Sequence, residues 1–188
     1  PRPDDECSNP CREQATRRTR YQGFAAQSLN EDCAKLMSSQ SFRAGVVIVI
    51  RRENGDLMAF ERKDVPGSWQ LPQGGIDIDE EPIDAAWREL SEETGLTKSD
   101  VALVLELPEW IAYEWPSDIR AQIKNGDKRR GQIQKWFLFG VINEENLAPR
   151  PDDHEFTRWQ WMEPHHLLHH LVEFRQAAYA RAFSRILP

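Results

Sequence analysis

The chain has 188 residues, of which 39% are hydrophobic and 29% charged, and its net charge is −7. That length suits one domain with a real hydrophobic core, and the composition excludes a fibrous or largely disordered protein. The acidity argues against coating nucleic acid by bulk charge, and the longest aliphatic run, Val46 to Ile50, is far too short to cross a bilayer.

Residues 1–40 read as an N-terminal extension, mobile or loosely docked, with Pro1, Pro3 and Pro10, a basic cluster (Arg12, Arg17, Arg18, Arg20) and room for a short helix around Ala26 to Met37. No charged-then-apolar leader opens it, so secretion is not expected. Cys7, Cys11 and Cys33 make an odd count with poor zinc spacing. They point to incidental thiols in a reduced, cytoplasmic setting. The domain proper is expected over residues 41–188. Ala44 to Arg51 reads as a buried strand, Asn54-Gly55 as a hairpin turn, and Leu57 to Glu61 as the returning strand. After a loop with Pro66 and Gly67, Pro82 opens a helix that runs to about Thr94, where Gly95 suits a left-handed stop. Further strands are expected at 101–107, 109–114, 133–142 and 157–162, helical turns near 164–170, and a last helix over roughly 173–186. Strands mixed with two main helices imply an α/β or α+β sandwich.

The charge is unevenly placed. Residues 74–96 carry eight acids (Asp77, Asp79, Glu80, Glu81, Asp84, Glu89, Glu92, Glu93) against one base, Arg88, so the whole excess sits in one short segment. On the expected helix Glu89, Glu92 and Glu93 stand at i, i+3 and i+4, sharing one face and repelling one another. Such a stripe becomes favourable once a hard divalent cation takes the oxygens as ligands. The bland reading is a solvated acidic helix face.

Spacing decides between these readings. Gly74, Glu80, Arg88-Glu89-Leu90, Glu92-Glu93 and Gly95-Leu96 follow the pattern G-x5-E-x7-R-E-U-x-E-E-x-G-U, with U aliphatic. The pattern resembles that of the Nudix hydrolase family at every specified position. The resemblance implies an α/β/α sandwich with a mixed sheet and a loop–helix–loop catalytic motif. It also implies metal-dependent hydrolysis of a phosphoanhydride in a nucleoside polyphosphate, with Mg²⁺ as the cofactor and Mn²⁺ able to substitute. Cations would neutralise the polyanionic substrate at a polyanionic site. Trp69-Gln70-Leu71-Pro72-Gln73-Gly74-Gly75-Ile76 and Gly131-Gln132-Ile133-Gln134-Lys135-Trp136-Phe137-Leu138 are similar to segments of bacterial RNA pyrophosphohydrolases and plant-type asymmetric diadenosine tetraphosphate hydrolases. So are Trp110-Ile111-Ala112-Tyr113, His154-Glu155-Phe156 and Phe174-Arg175.

By that resemblance Glu89, Glu92, Glu93, Glu155 and the Gly74 carbonyl are the metal ligands, and one of the carboxylates serves as base. Arg88 and Glu80 would hold the loop. Arg43, Lys63 and Lys135 would grip the phosphate chain, Tyr113 would stack on a base or simply fill the core, and Gln73 and Gln134 would touch substrate. The substrate is expected to be an RNA 5′ end or a dinucleoside polyphosphate, with neither membrane nor stable protein partner indicated. Lys124, Lys128, Arg129 and Arg130 form a basic loop that could steer it. His165, His166, His169 and His170 have i, i+4 spacing, but without a third ligand beside them they are not read as a zinc site. The alternative is a non-catalytic Nudix-like sensor of nucleotide or RNA. The full set of Glu80, Arg88, Glu89, Glu92 and Glu93 argues against it, because a sensor need not keep metal carboxylates.

Overall fold

The computed structural model describes residues 41–122 and 129–187. The extension 1–40, its three cysteines and the helix expected around Ala26 to Met37 lie outside the described residues, as do Lys124 and Lys128. The unit that begins at Phe42 is built on β1 (Phe42–Arg51) and β7 (Gly131–Val141), two long strands paired in parallel over ten residues from Phe42↔Gly131 to Arg51↔Gly140.

Around this pair the sheet runs β3-β2-β1-β7-β5, with β2 (Leu57–Arg62), β3 (Trp69–Gln70) and β5 (Val101–Glu106) all antiparallel to their neighbours. β4 (Gln73–Gly75) pairs with β1, β6 (Ile111–Glu114) with β7, and β8 (Phe156–Met162) with β2. The sheet is mixed because a parallel β1–β7 pair must be joined by a long crossover, whereas the short loops can only join antiparallel neighbours. Between β1 and β2 the chain turns over residues 52–56, where Gly55 takes φ 96° and donates to the Arg52 carbonyl at 3.0 Å.

Why Val46 to Ile50 is apolar without alternation follows from its central place. Val47 and Val49 face one core, with Trp136, Leu138, Tyr179 and Phe183. Val46, Ile48 and Ile50 face the other, with Phe137, Phe139, Ala86 and Leu90. A strand covered on both faces has no polar side. Helix α1 (Pro82–Thr94) covers the second face. On the first lie α3 (Pro164–His170) and α4 (Glu173–Ile186), through Leu167, Tyr179 and Ala182. The result is the expected α/β/α sandwich. Pro82 stands at the start of α1, and Gly95 closes it at φ 70° by donating to the Ser91 carbonyl at 3.0 Å. Two very short strands, β3 and β4, and the six-residue α2 (Ser117–Gln122) were not anticipated. Their lengths lie below what a periodic pattern can reveal. Among the described residues no helix is long and apolar enough to cross a membrane.

Candidate active site

The acidic segment folds first around Arg88. Its guanidinium binds Glu80 with Nε and Nη2 at 2.9 and 2.8 Å, and Nη2 also donates to the Gly75 carbonyl at 2.9 Å. Nη1 reaches Glu89 at 2.7 Å and Glu92 at 3.3 Å. Glu80 accepts the Asp77 N–H at 2.9 Å, and the Arg88 contact with that backbone bond holds its carboxyl at about 2. Arg88 therefore ties the loop before α1 to β4 and to the helix itself, as the resemblance implied.

β4 then lies against β1, Gly74 opposite Val46 and Gly75 opposite Gly45. Gly45 is required by close approach, since a Cβ there would lie 2.5 Å from the Gly74 carbonyl oxygen. A Cβ on Gly74 would lie 1.8 Å from the Glu89 carboxyl carbon and would displace that carboxylate.

A cavity of about 270 Å³ opens there, lined by the carboxylates of Glu89, Glu93 and Glu155 and the guanidiniums of Arg43, Arg62 and Arg175, together with Gly74, Gly75, Gln73 and Gln132. Glu93 is only 6% exposed and accepts the Gln73 N–H at 2.9 Å. Burial drives its carboxyl well above the ordinary range, and the neighbouring Glu155 and Glu89 carboxylates add to the shift. Glu89 is raised for the same first reason, burial, which outweighs the Arg88 contact. Arg175 is 7% exposed and its Nε has no hydrogen-bond partner among the described residues; Nη1 donates to the Gln70 side-chain oxygen. Because a guanidinium accepts no hydrogen bond, the Gln73 amide turns its oxygen to Arg175, at 3.1 and 3.2 Å from the two terminal nitrogens. Glu155 accepts from Gln70 Nε2 at 3.0 Å.

Of the residues singled out from sequence, the cavity brings together Gly74, Glu89, Glu93, Glu155, Arg43 and Gln73. The others lie elsewhere. Glu92 points outward to Arg88, with 61% of its side chain exposed. Lys63 donates to the Asp153 carbonyl at 2.6 Å, and its neighbour Arg62 lines the cavity. Lys135 is buried against Glu106 and the Pro108 carbonyl, both at 3.0 Å. Tyr113 packs in the core 5.7 Å from the Phe174 ring and donates to Gln132 at 2.9 Å. Gln134 stands one layer back, on Gln73 and Gln132. Arg130 of the basic loop pairs with Glu114 at 2.6 Å. The histidines meet in pairs on α3, His165 edge-on to His169 at 4.7 Å and His166 stacked on His170 at 4.4 Å.

Arg62, Arg175, Gln132 and Gln70 were missed as site residues. Arg175, Gln132 and Gln70 carry a signal, since all three stand in segments that resemble the family. Arg62 carries none, because a register shift between Glu61 and Arg62 re-aims the strand end.

This arrangement of a charged loop–helix–loop against a mixed sheet agrees with known proteins. The NUDIX domain family model matches residues 41–183. The chain belongs to the Nudix hydrolase family. It is 35% identical over 145 residues to Nudix hydrolase 25 of Arabidopsis thaliana, covering 73% of this chain and 82% of that one. It is 37% identical over 149 residues to an RNA pyrophosphohydrolase of Cereibacter sphaeroides, covering 78% and 91%. Among solved structures, a C. elegans Ap4A hydrolase superposes with a TM-score of 0.58 at 22% identity, over 77% of this chain and 97% of that one, a likeness of fold.

Nudix hydrolases use divalent metal ions, and the donor set here fits one. The cavity lining offers the carboxylates of Glu89, Glu93 and Glu155 without Cys or His, which suits a hard cation. Among the described residues no three such side chains already converge as a finished ion site. Arg88 draws Glu89 and Glu92 towards itself, while Gln73 holds Glu93.

Proposed function

We propose that this Nudix hydrolase cleaves a phosphoanhydride at an RNA 5′ end or in a dinucleoside polyphosphate, using Mg²⁺, with Mn²⁺ as a substitute. The observation that carries the reading is the meeting of three carboxylates and three guanidiniums in one cavity. Glu89, Glu93, Glu155 and the Gly74 carbonyl would hold the cations, which when bound supply Lewis-acid neutralisation of the phosphate oxygens. Arg43, Arg62 and Arg175 would meet the remaining phosphate charge, Arg62 by exchanging part of its fork on Asp64, and a planar fork matches phosphate oxygens two at a time. Glu155, half-buried and tethered to Gln70, would serve as a metal ligand or accept a proton from the attacking water. The likeness to an RNA pyrophosphohydrolase over most of both chains supports the RNA 5′ end as the first substrate to try.

The test is a parallel assay of 5′-triphosphate RNA, diadenosine tetraphosphate and ADP-ribose under Mg²⁺, scored by product. Pyrophosphate from RNA, or ATP plus AMP from the dinucleotide, is expected, with turnover abolished by Glu93→Gln. ADP-ribose as the preferred substrate would overturn the proposed substrate class. Tight binding without phosphate release would favour a sensor.

A further inference from the structure

Gln70 ends the two-residue strand β3 and is 1% exposed, behind the cavity wall. Its amide meets groups of opposite charge at its two ends. Nε2 donates to Glu155 at 3.0 Å, while Oε1 accepts from Arg175 Nη1 and, at 3.4 Å, from Arg62 Nη1. All three partners line the cavity.

We propose that Gln70 is a positioning residue that fixes the Glu155 carboxylate relative to the phosphate-facing guanidiniums. The proposal rests on the reading of Glu155 as a metal ligand or base. An uncharged amide is the side chain that serves both ends, because it has donors on one side and an acceptor on the other. Glu at this position would satisfy the arginines but set a carboxylate against Glu155. Lys would satisfy Glu155 but face two guanidiniums. Met would keep the volume and make neither bond. Burial removes water as a substitute partner, so the amide's geometry is transmitted to the groups it touches. β3 is anchored to β2 by the Phe60↔Gln70 pair, so the amide is carried on the sheet rather than on a loose loop. The link spans 85 residues to Glu155 and 105 to Arg175, which makes Gln70 the point where two distant parts of the site are held in register.

Gln70→Met and Gln70→Glu are each compared in the wild-type chain and in Glu155→Gln, with kcat, KM and the Mn²⁺ binding isotherm of the substrate-free protein measured by electron paramagnetic resonance. Removing a partner that orients a metal ligand costs about 10–100-fold in metal affinity or turnover. Both substitutions are therefore expected to lower kcat/KM and to weaken Mn²⁺ binding by that factor. In the Glu155→Gln background the same substitutions should change residual turnover by less than about threefold, because residues acting as one unit are not additive. Wild-type kcat/KM and Mn²⁺ affinity in folded Gln70→Met, or an undiminished loss in the Glu155→Gln background, would overturn the proposal. If Gln70→Met does not fold, Gln70→Glu carries the same comparison, since it retains the arginine contacts. Wild-type turnover in Glu155→Gln alone would instead overturn the reading of Glu155.

Discussion

Glu93→Gln separates what the site does for catalysis from what it costs in stability. Glu93 is 6% exposed, accepts one backbone N–H at 2.9 Å, and is pushed upward first by burial and then by Glu155 and Glu89. In the unfolded chain the same carboxyl titrates near 4.5. Above that pH the metal-free native state holds a proton that the unfolded chain has released. Its stability is then complete below about pH 4.5 and falls as pH rises towards the raised native value, by about 1.4 kcal/mol per pH unit for this one group. Between pH 4.5 and neutrality the loss is about 3 kcal/mol. Gln has no proton to hold, nearly the same shape, and an oxygen that can still accept the Gln73 N–H. Metal-free Glu93→Gln is therefore expected to be more stable than wild type at neutral pH by about 1–3 kcal/mol, a few degrees in Tm for a domain of this size. The gap should close towards about pH 4.5, where wild type is protonated in both states. Saturating Mg²⁺ should stabilise wild type more than the variant, since ligand binding to the native state alone raises stability. Urea unfolding in EDTA and in Mg²⁺ across a pH series measures all three effects. A variant less stable than wild type at neutral pH in EDTA, or a gap that does not change with pH, would refute the assignment of Glu93 as a buried, strained carboxylate.

Other outcomes follow from the same geometry. Gly74→Ala should fold yet lose most metal-dependent turnover, because its Cβ would lie 1.8 Å from the Glu89 carboxyl carbon; a variant with wild-type turnover would contradict that contact. Gly55→Ala has nothing within 4 Å of the new Cβ but sits at φ 96°, so it should cost about 1 kcal/mol in thermal unfolding through backbone strain and leave kcat intact. Arg88→Lys cannot reproduce the forked Glu80 contact together with the Gly75 carbonyl bond, and steady-state kinetics should show kcat down about 10–100-fold with the far-UV circular dichroism unchanged. Arg62→Ala should raise KM for a triphosphate substrate more than Lys63→Ala does, since Arg62 lines the cavity and Lys63 is turned to the Asp153 carbonyl.

How much of this was legible beforehand differs by element. α1 was readable to the residue at both ends, because Pro82 and Gly95 act locally through φ and a missing N–H. The loop-holding role of Arg88 was readable too, since all its carboxylate partners lie within eight residues of it. The double-sided burial of β1 showed as an unbroken apolar run. The set of cations that lines the cavity was readable only at Arg43. Lys63 and Lys135 looked equivalent to Arg43 in charge, but their side chains are spent on Asp153, Glu106 and Pro108. Arg62 reaches the cavity through a bulge that breaks strand alternation. Even within the acidic helix, i, i+3, i+4 spacing placed Glu89, Glu92 and Glu93 together. Neighbours in sequence nonetheless diverge by about 100° around a helix, and Glu93 faces inward while Glu92 meets solvent.

The excess charge of the chain, confined to residues 74–96, and the spacing of its carboxylates are properties of the sequence alone, and with them come the helix, the family and the expectation of a cation. Helical periodicity and capping act over a few residues, so no tertiary information is needed to read them. Which carboxylates are buried, and which arginines face them, was decided only when β3, β8 and α4 brought Gln70, Glu155 and Arg175 together across 85 and 105 residues of chain. That convergence depends on sheet register and long-range packing, which no local pattern encodes.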